Sequence, residues 1–236
     1  MFYYKIIRML NKITIVSIVL LLLFHVNVFA QKVEQLEGFN RIELFGKIEV
    51  RLEVADVDSM VIESGTFDVD KIYYSVKDSV LSVKLTYEFP QEIKVRVTIF
   101  YKNLKTLEAG GGIKLYNKGA LKGKLIELAA KSGSDFDLLV GTDSILMKVN
   151  KGAFVRLSGS SRVVNLSTST GGDYRATELE NEVTYAKMSG GSAEVAPKLL
   201  LDANVSFGAT LKYKDKPSRI KRSEKFGGSI SQLEDF

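Results

Sequence analysis

The chain has 236 residues, 33 Lys and Arg against 28 Asp and Glu, a formal net charge of +5, one histidine and no cysteine or tryptophan. That excludes a disulfide framework and thiol chemistry. With 45% apolar residues and only three prolines, bulk disorder is also excluded.

The first thirty residues carry most of the excess charge. Lys5, Arg8 and Lys12 precede an uncharged run from Ile13 to Phe24, and Val28 and Ala30 stand at the −3 and −1 positions of a small-residue cut. A basic start, an apolar middle and a small-residue end make residues 1–30 a secretory signal peptide. A retained membrane anchor is the alternative, but the apolar run is short for a span of roughly 20 residues. Cleavage after Ala30 leaves 206 residues and removes His25 and three basic residues, so 30 Lys and Arg face 28 acids at net +2. No general pull towards nucleic acid is expected at that charge. With no cysteine to carry lipid, a lipoprotein is excluded. The expected location is the periplasm, the cell surface or the exterior, with no integral membrane segment after cleavage.

Next comes "NRIELFGKIEVRLEV", in which Ile42, Leu44, Ile48, Val50, Leu52 and Val54 alternate with charged neighbours. A period of two predicts strands with one dry face, and Gly46 and Lys47 a turn or bulge between them. "KIYYSV" and "VLSVKL" around "KDS" read as a hairpin. A turn follows around Pro90, and Val95, Val97 and Ile99 alternate again. Residues 31–107 are therefore expected to form a strand-rich N-terminal β domain.

Beyond Leu107 small-residue corners recur at Gly112, Gly133, Gly152, Gly172, Gly191, Gly208 and Gly227, in steps of 21, 19, 20, 19, 17 and 19. A near-constant period of about 19 is an internal repeat at the short edge of solenoid periods. Between corners lie alternating pieces such as "DFDLLV" and "VTYAKM", expected as strands of four to six residues. Residues 108–236 then read as a C-terminal β-helical domain of about seven coils, a column roughly 30 Å tall at the spacing of stacked strands. Corners stay small because a bulky side chain would meet its own copy in the next coil, and because a sharp bend needs positive φ. Expected inward residues are Phe136, Leu138, Phe154, Leu157, Val163, Leu166, Tyr185, Val195, Leu199, Leu201, Leu211 and Tyr213. An antiparallel sandwich with glycine turns accommodates the same strands; the constant period favours the solenoid.

The opening "FNRIELFGKIEVRLE", the first corner "NLKTLEAGGGIKL", the recurring "SGSDFDL", "LSGSSRV" and "MSGGSAEV", and the closing "YKDKPSRIKRSEKFGGSISQL" resemble, in that order, the secreted bacterial family of auto-transporter adhesin head GIN domains. The likeness covers about residues 38–233 and implies an all-β, two-part β-helical fold. It supplies no catalytic residue. Only three residues follow Leu233, so no autotransport barrel is expected.

Three function classes are compatible with these residues. Without His or Cys in the mature chain, acid–base and nucleophilic work falls to carboxylates. Asp135 with Asp137, Asp56 with Asp58, and Asp68 with Asp70 each stand two apart, yet none sits in a recognised motif and none forms a calcium-binding nonapeptide. The segment 212–225 holds seven basic residues (Lys212, Lys214, Lys216, Arg219, Lys221, Arg222 and Lys225) against Asp215 and Glu224. It is either a site for acidic glycan or lipid headgroups or a solvated edge that discourages strand pairing. Exposed tyrosines on a rigid column suit stacking on sugars. The ranking is a non-catalytic, adhesin-like envelope protein binding a surface glycan or an envelope protein, then an assembly component, then a polysaccharide-active enzyme. No catalytic, cofactor-binding or metal-binding residue is assigned.

Overall fold

The structure, a computed structural model, describes residues 30–64, 71–85 and 95–234. Asp68, Asp70, the Pro90 turn and most of the signal segment lie outside the described residues. Among those described there is no α-helix, and no helix long and apolar enough to cross a membrane.

The repeat region is a β-solenoid. Its coils are built from β8 (Thr106–Gly110), β9 (Lys114–Lys118), β10 (Leu121–Ala130), β11 (Asp135–Val149), β12 (Phe154–Ser169), β13 (Asp173–Ser189), β14 (Ser192–Ser206), β15 (Thr210–Tyr213), β16 (Arg219–Lys225) and β17 (Ser229–Gln232). Every successive pairing is parallel. Thr106 lies beside Glu127, Asp135 beside Phe154, Phe154 beside Asp173, Ser192 beside Thr210, and Thr210 beside Ser229. Seven coils result, as the glycine period predicts. The expected four-to-six-residue pieces are instead merged. β11, β12, β13 and β14 run 15, 16, 17 and 15 residues, because each strand continues through the second bend of its coil, the register shifting there between β13 and β14 and just before it between β12 and β13.

The glycine corners divide into two kinds. At Ser132–Gly133, Lys151–Gly152, Thr170–Gly171, Phe207–Gly208 and Phe226–Gly227 both residues have φ between 49° and 77°. The turn closes by a hydrogen bond from the fourth residue's N–H to the first residue's carbonyl, as in Ser134 to Lys131 at 3.3 Å. Two successive left-handed residues define a type I′ bend. An added Cβ on Gly133 or Gly208 meets nothing within 4 Å. Steric nesting therefore does not explain these positions; positive φ does. Bulk is in fact accepted there: Phe207 and Phe226 stack ring on ring at 5.0 Å. Gly191 is the other kind. Its Cβ would stand 2.2 Å from the Gly172 carbonyl oxygen, so here the nesting argument holds.

Inside the coils, Phe136, Leu138, Leu157, Leu166, Val195, Leu201 and Leu211 are buried as expected. Phe154, Val163, Tyr185 and Leu199 are not, and Tyr213 is partly buried against the core. Three of the four sit beside an inward residue of opposite phase, where Val155, Val164 and Ala186 take the interior; Leu199 lies at the second bend, where Lys198 and Leu199 are both exposed and the inward alternation resumes at Leu201. The alternation changes phase at the second bend, where Thr142, Ser161 and Asn181 stack in register as a buried polar column. Thr142 and Ser161 share a hydroxyl hydrogen bond of 3.2 Å.

The N-terminal strands prolong the same ladder out of sequence order. β2 (Arg41–Phe45) and β3 (Glu49–Val54) pair in parallel with β8 and β9, Arg41 beside Thr106 and Glu49 beside Lys114. On their other side lie β6 (Val80–Leu85) and β7 (Val95–Tyr101), also parallel. Gly46 is thus one more corner of the column, with its Cβ position 2.5 Å from the Leu85 carbonyl oxygen. Antiparallel strands close this end: β5 (Ile72–Lys77) pairs with β6 through Asp78 and Ser79, both at positive φ. β4 (Ser59–Ser64) pairs with β7, and β1 (Ala30–Gln35) with β4.

Candidate functional site

Parallel register places like positions of successive coils in outward columns, and one face collects groups suited to recognition. Leu146, Asn165, Tyr185 and Asp202 form one column. Lys148, Ser167 and Lys187 form the next. Asn165 and Ser167 on β12 are short, whereas Leu146 and Lys148 on β11 and Tyr185 and Lys187 on β13 are long. The result is an open trough of about 410 Å³ with a low polar floor. Its walls are two strands apart, about 9.5 Å. Tyr185 is 44% exposed, offering a ring face with a hydroxyl at its edge. Asp202 holds Lys221 at 3.6 Å. An aromatic plate, an amide, a carboxylate and two ammonium groups on a rigid ladder can stack on and hydrogen-bond to a sugar. They do not make a hydrolytic pair. Sequence reasoning put Tyr185 in the core. The signal that finds it is the opposite phase, Thr184, Ala186 and Met188, which occupies the interior.

The other flat face is a lattice of alternating charge. Arg96 donates to Glu49 at 3.0 Å, and so does the Tyr116 hydroxyl. Burial pushes the Glu49 carboxyl up, but those two hydrogen bonds and the nearby positive charges outweigh it, so it titrates below its ordinary range. Arg156 donates to Asp137 at 3.0 Å. Phe154 lies beneath the guanidinium groups of both Arg156 and Arg175, each 5.1 Å from its centroid.

The carboxylate pairs read from the sequence are placed as follows. Asp135 and Asp137 share the outer side of β11, but Asp137 is engaged by Arg156. Asp58 accepts the backbone N–H of Lys102 at 2.8 Å and anchors that loop, while Asp56 is apart and exposed. Among the described residues no three His, Cys, Asp or Glu gather as a metal site.

The basic segment 212–225 forms the last coils. Arg222 and Glu224 occupy the ladder positions of Ala203 and Val205, which are core positions in the preceding coil. The pair approaches to 3.9 Å. Charged side chains therefore stand where the next coil's core would begin, the device that keeps a sheet edge from adding a further strand.

Solved structures similar to this chain share the architecture. A putative adhesin from Bacteroides fragilis superimposes with a TM-score of 0.78 at 18% identity, over 88% of this chain and 98% of its own. A putative lipid binding protein from Parabacteroides distasonis gives 0.68 at 15% identity, over 87% and 97%. At these identities the likeness is one of fold. No curated protein matches the chain. The family described as "putative auto-transporter adhesin, head GIN domain" matches residues 38–217, and the chain belongs to that family.

Proposed function

We propose that the chain is an exported, adhesin-like binding protein of the bacterial envelope, without a catalytic role, that takes glycans on the outer face of its coils. The observation that carries this is the trough between β11 and β13, where Tyr185 stands exposed beside Asn165, Asp202, Lys148 and Lys187. The family described for residues 38–217 agrees with a surface role. Residues 1–30 act in this reading as the signal, and cleavage after Ala30 leaves Gln31–Gln35 of β1 to pair with β4. N-terminal sequencing of the secreted protein is expected to begin at Gln31.

A glycan array tests the binding. Retention of a defined set of sugars, weakened about tenfold in Tyr185→Ala, is expected. An empty array, or a bound set indifferent to Tyr185→Ala, overturns the reading. Turnover of any polysaccharide replaces it with an enzymatic one.

A further inference from the structure

A second concavity lies where the end of β3, the loop between β7 and β8, and the first half of β10 meet. It encloses about 930 Å³ and is lined by Lys102, Lys105, Lys122 and Lys124 together with Asp58 and Glu127. All four lysines are exposed, and none forms an ion pair among the described residues. On the charged flat face, by contrast, three outward arginines are held: Arg96 by Glu49, Arg156 by Asp137, Arg175 by Asp173. Of the two groove carboxylates, Asp58 is occupied by the Lys102 N–H. Four exposed ammonium groups therefore face two carboxylates, one of them already hydrogen-bonded to backbone, and the lining carries a net charge of +2.

The chemistry of the lining narrows the occupant. Lysines present point charges rather than the planar fork of arginine, and no arginine lines the groove. Lys122 and Lys124 are two apart on β10, at the second bend of the coil, where the four successive residues from Lys122 to Leu125 are all exposed. Lys102 and Lys105 stand on the facing loop. Val54 and Leu125, 58% and 44% exposed, supply apolar surface between the charges. Two rows of ammonium groups along an open trough match a chain carrying carboxylates at intervals. A concave site is poorly shaped for the flat surface of a bilayer. We propose that this groove binds an acidic polysaccharide, with sugar carboxylates on the four lysines and carbon-bound faces of the rings on Val54 and Leu125.

This deepens the glycan-binding reading and rests on it, yet uses a different site. The probe is polygalacturonate, with its methyl-esterified form as the neutral match and titration calorimetry on the purified protein as the readout. Binding that weakens with added salt and is lost with the esterified polymer is expected. Lys122→Gln with Lys124→Gln, and separately Lys102→Gln with Lys105→Gln, are each expected to weaken it about tenfold, with melting temperature unchanged because the side chains are exposed. Lys212→Gln with Lys216→Gln and Tyr185→Ala are expected to leave it intact, so failure of the trough and failure of the groove read out separately. The proposal is overturned if polygalacturonate does not bind, if the groove variants bind as tightly as the parent, or if anionic vesicles or single-stranded DNA bind equally well and lose binding in the same variants.

Discussion

Gly191 and Gly133 both have positive φ, 86° and 71°, yet they sit in different surroundings. At Gly191 a methyl group collides with a backbone carbonyl that cannot swing away; at Gly133 it meets open space. Gly191→Ala is expected to cost about 3 kcal/mol or more and Gly133→Ala only about 1–2 kcal/mol, the left-handed strain alone. Urea midpoints of the two variants check this, and equal losses would remove nesting as the cause. Tyr174 offers the opposite case. It is fully buried, and its hydroxyl has no hydrogen-bond partner among the described residues; burial pushes its pKa well up. Tyr174→Phe removes an unsatisfied polar group without removing the ring, and should raise stability by about 1 kcal/mol in the same assay. The recurrence of glycine is plain in the chain, because small residues stand out at a fixed interval. Which glycines nest and which only bend is not, since that depends on the atoms of the coil beneath.

At the scale of an element, Glu49 joins β3 to its neighbours through Arg96 on β7 and Tyr116 on β9. A carboxyl whose native pKa is lowered adds stability that is complete above the unfolded-chain value of about 4.3 and is lost as pH falls through the lower native value. Glu49→Gln should therefore flatten the acid limb of stability against pH, measured by urea unfolding between about pH 6 and pH 3, and leave the neutral region less stable than in the parent. The final strand pair makes a second case. Arg222 and Glu224 replace core residues at the end of the stack. Arg222→Leu together with Glu224→Val is expected to produce concentration-dependent association in sedimentation, because the free ladder then ends on an apolar surface; a monomer at all concentrations would show that these charges do not guard the edge. The sequence shows the cluster of basic residues but not that two charged side chains fall in an inward column. That follows only from the register with Ala203 and Val205.

For the molecule as a whole, the coil of β2 and β3 lies between two coils that come later in the chain. Strands β11, β12 and β13 have neighbours on both sides along most of their length, whereas β16 and β17 have one. Hydrogen exchange should find the slowest amides in β11–β13 and the fastest among the strands in β16 and β17, and a uniform rate along the column would contradict the layered build.

Periodicity alone determined a solenoid with seven glycine corners, because equal coils demand equal intervals, and it identified Phe136, Leu138, Leu157 and Leu166 as interior. Tertiary structure decided what no interval encodes. Apolar residues stand side by side at Ala153–Phe154–Val155 and Tyr185–Ala186, so alternation admits two phases, and packing against the coil above selects the one that leaves Tyr185 outside. The two pairs of groove lysines stand about one coil apart in the chain, as the period allows, but that their segments meet the end of β3 in one concavity follows only from the out-of-order place of β2 and β3 in the ladder.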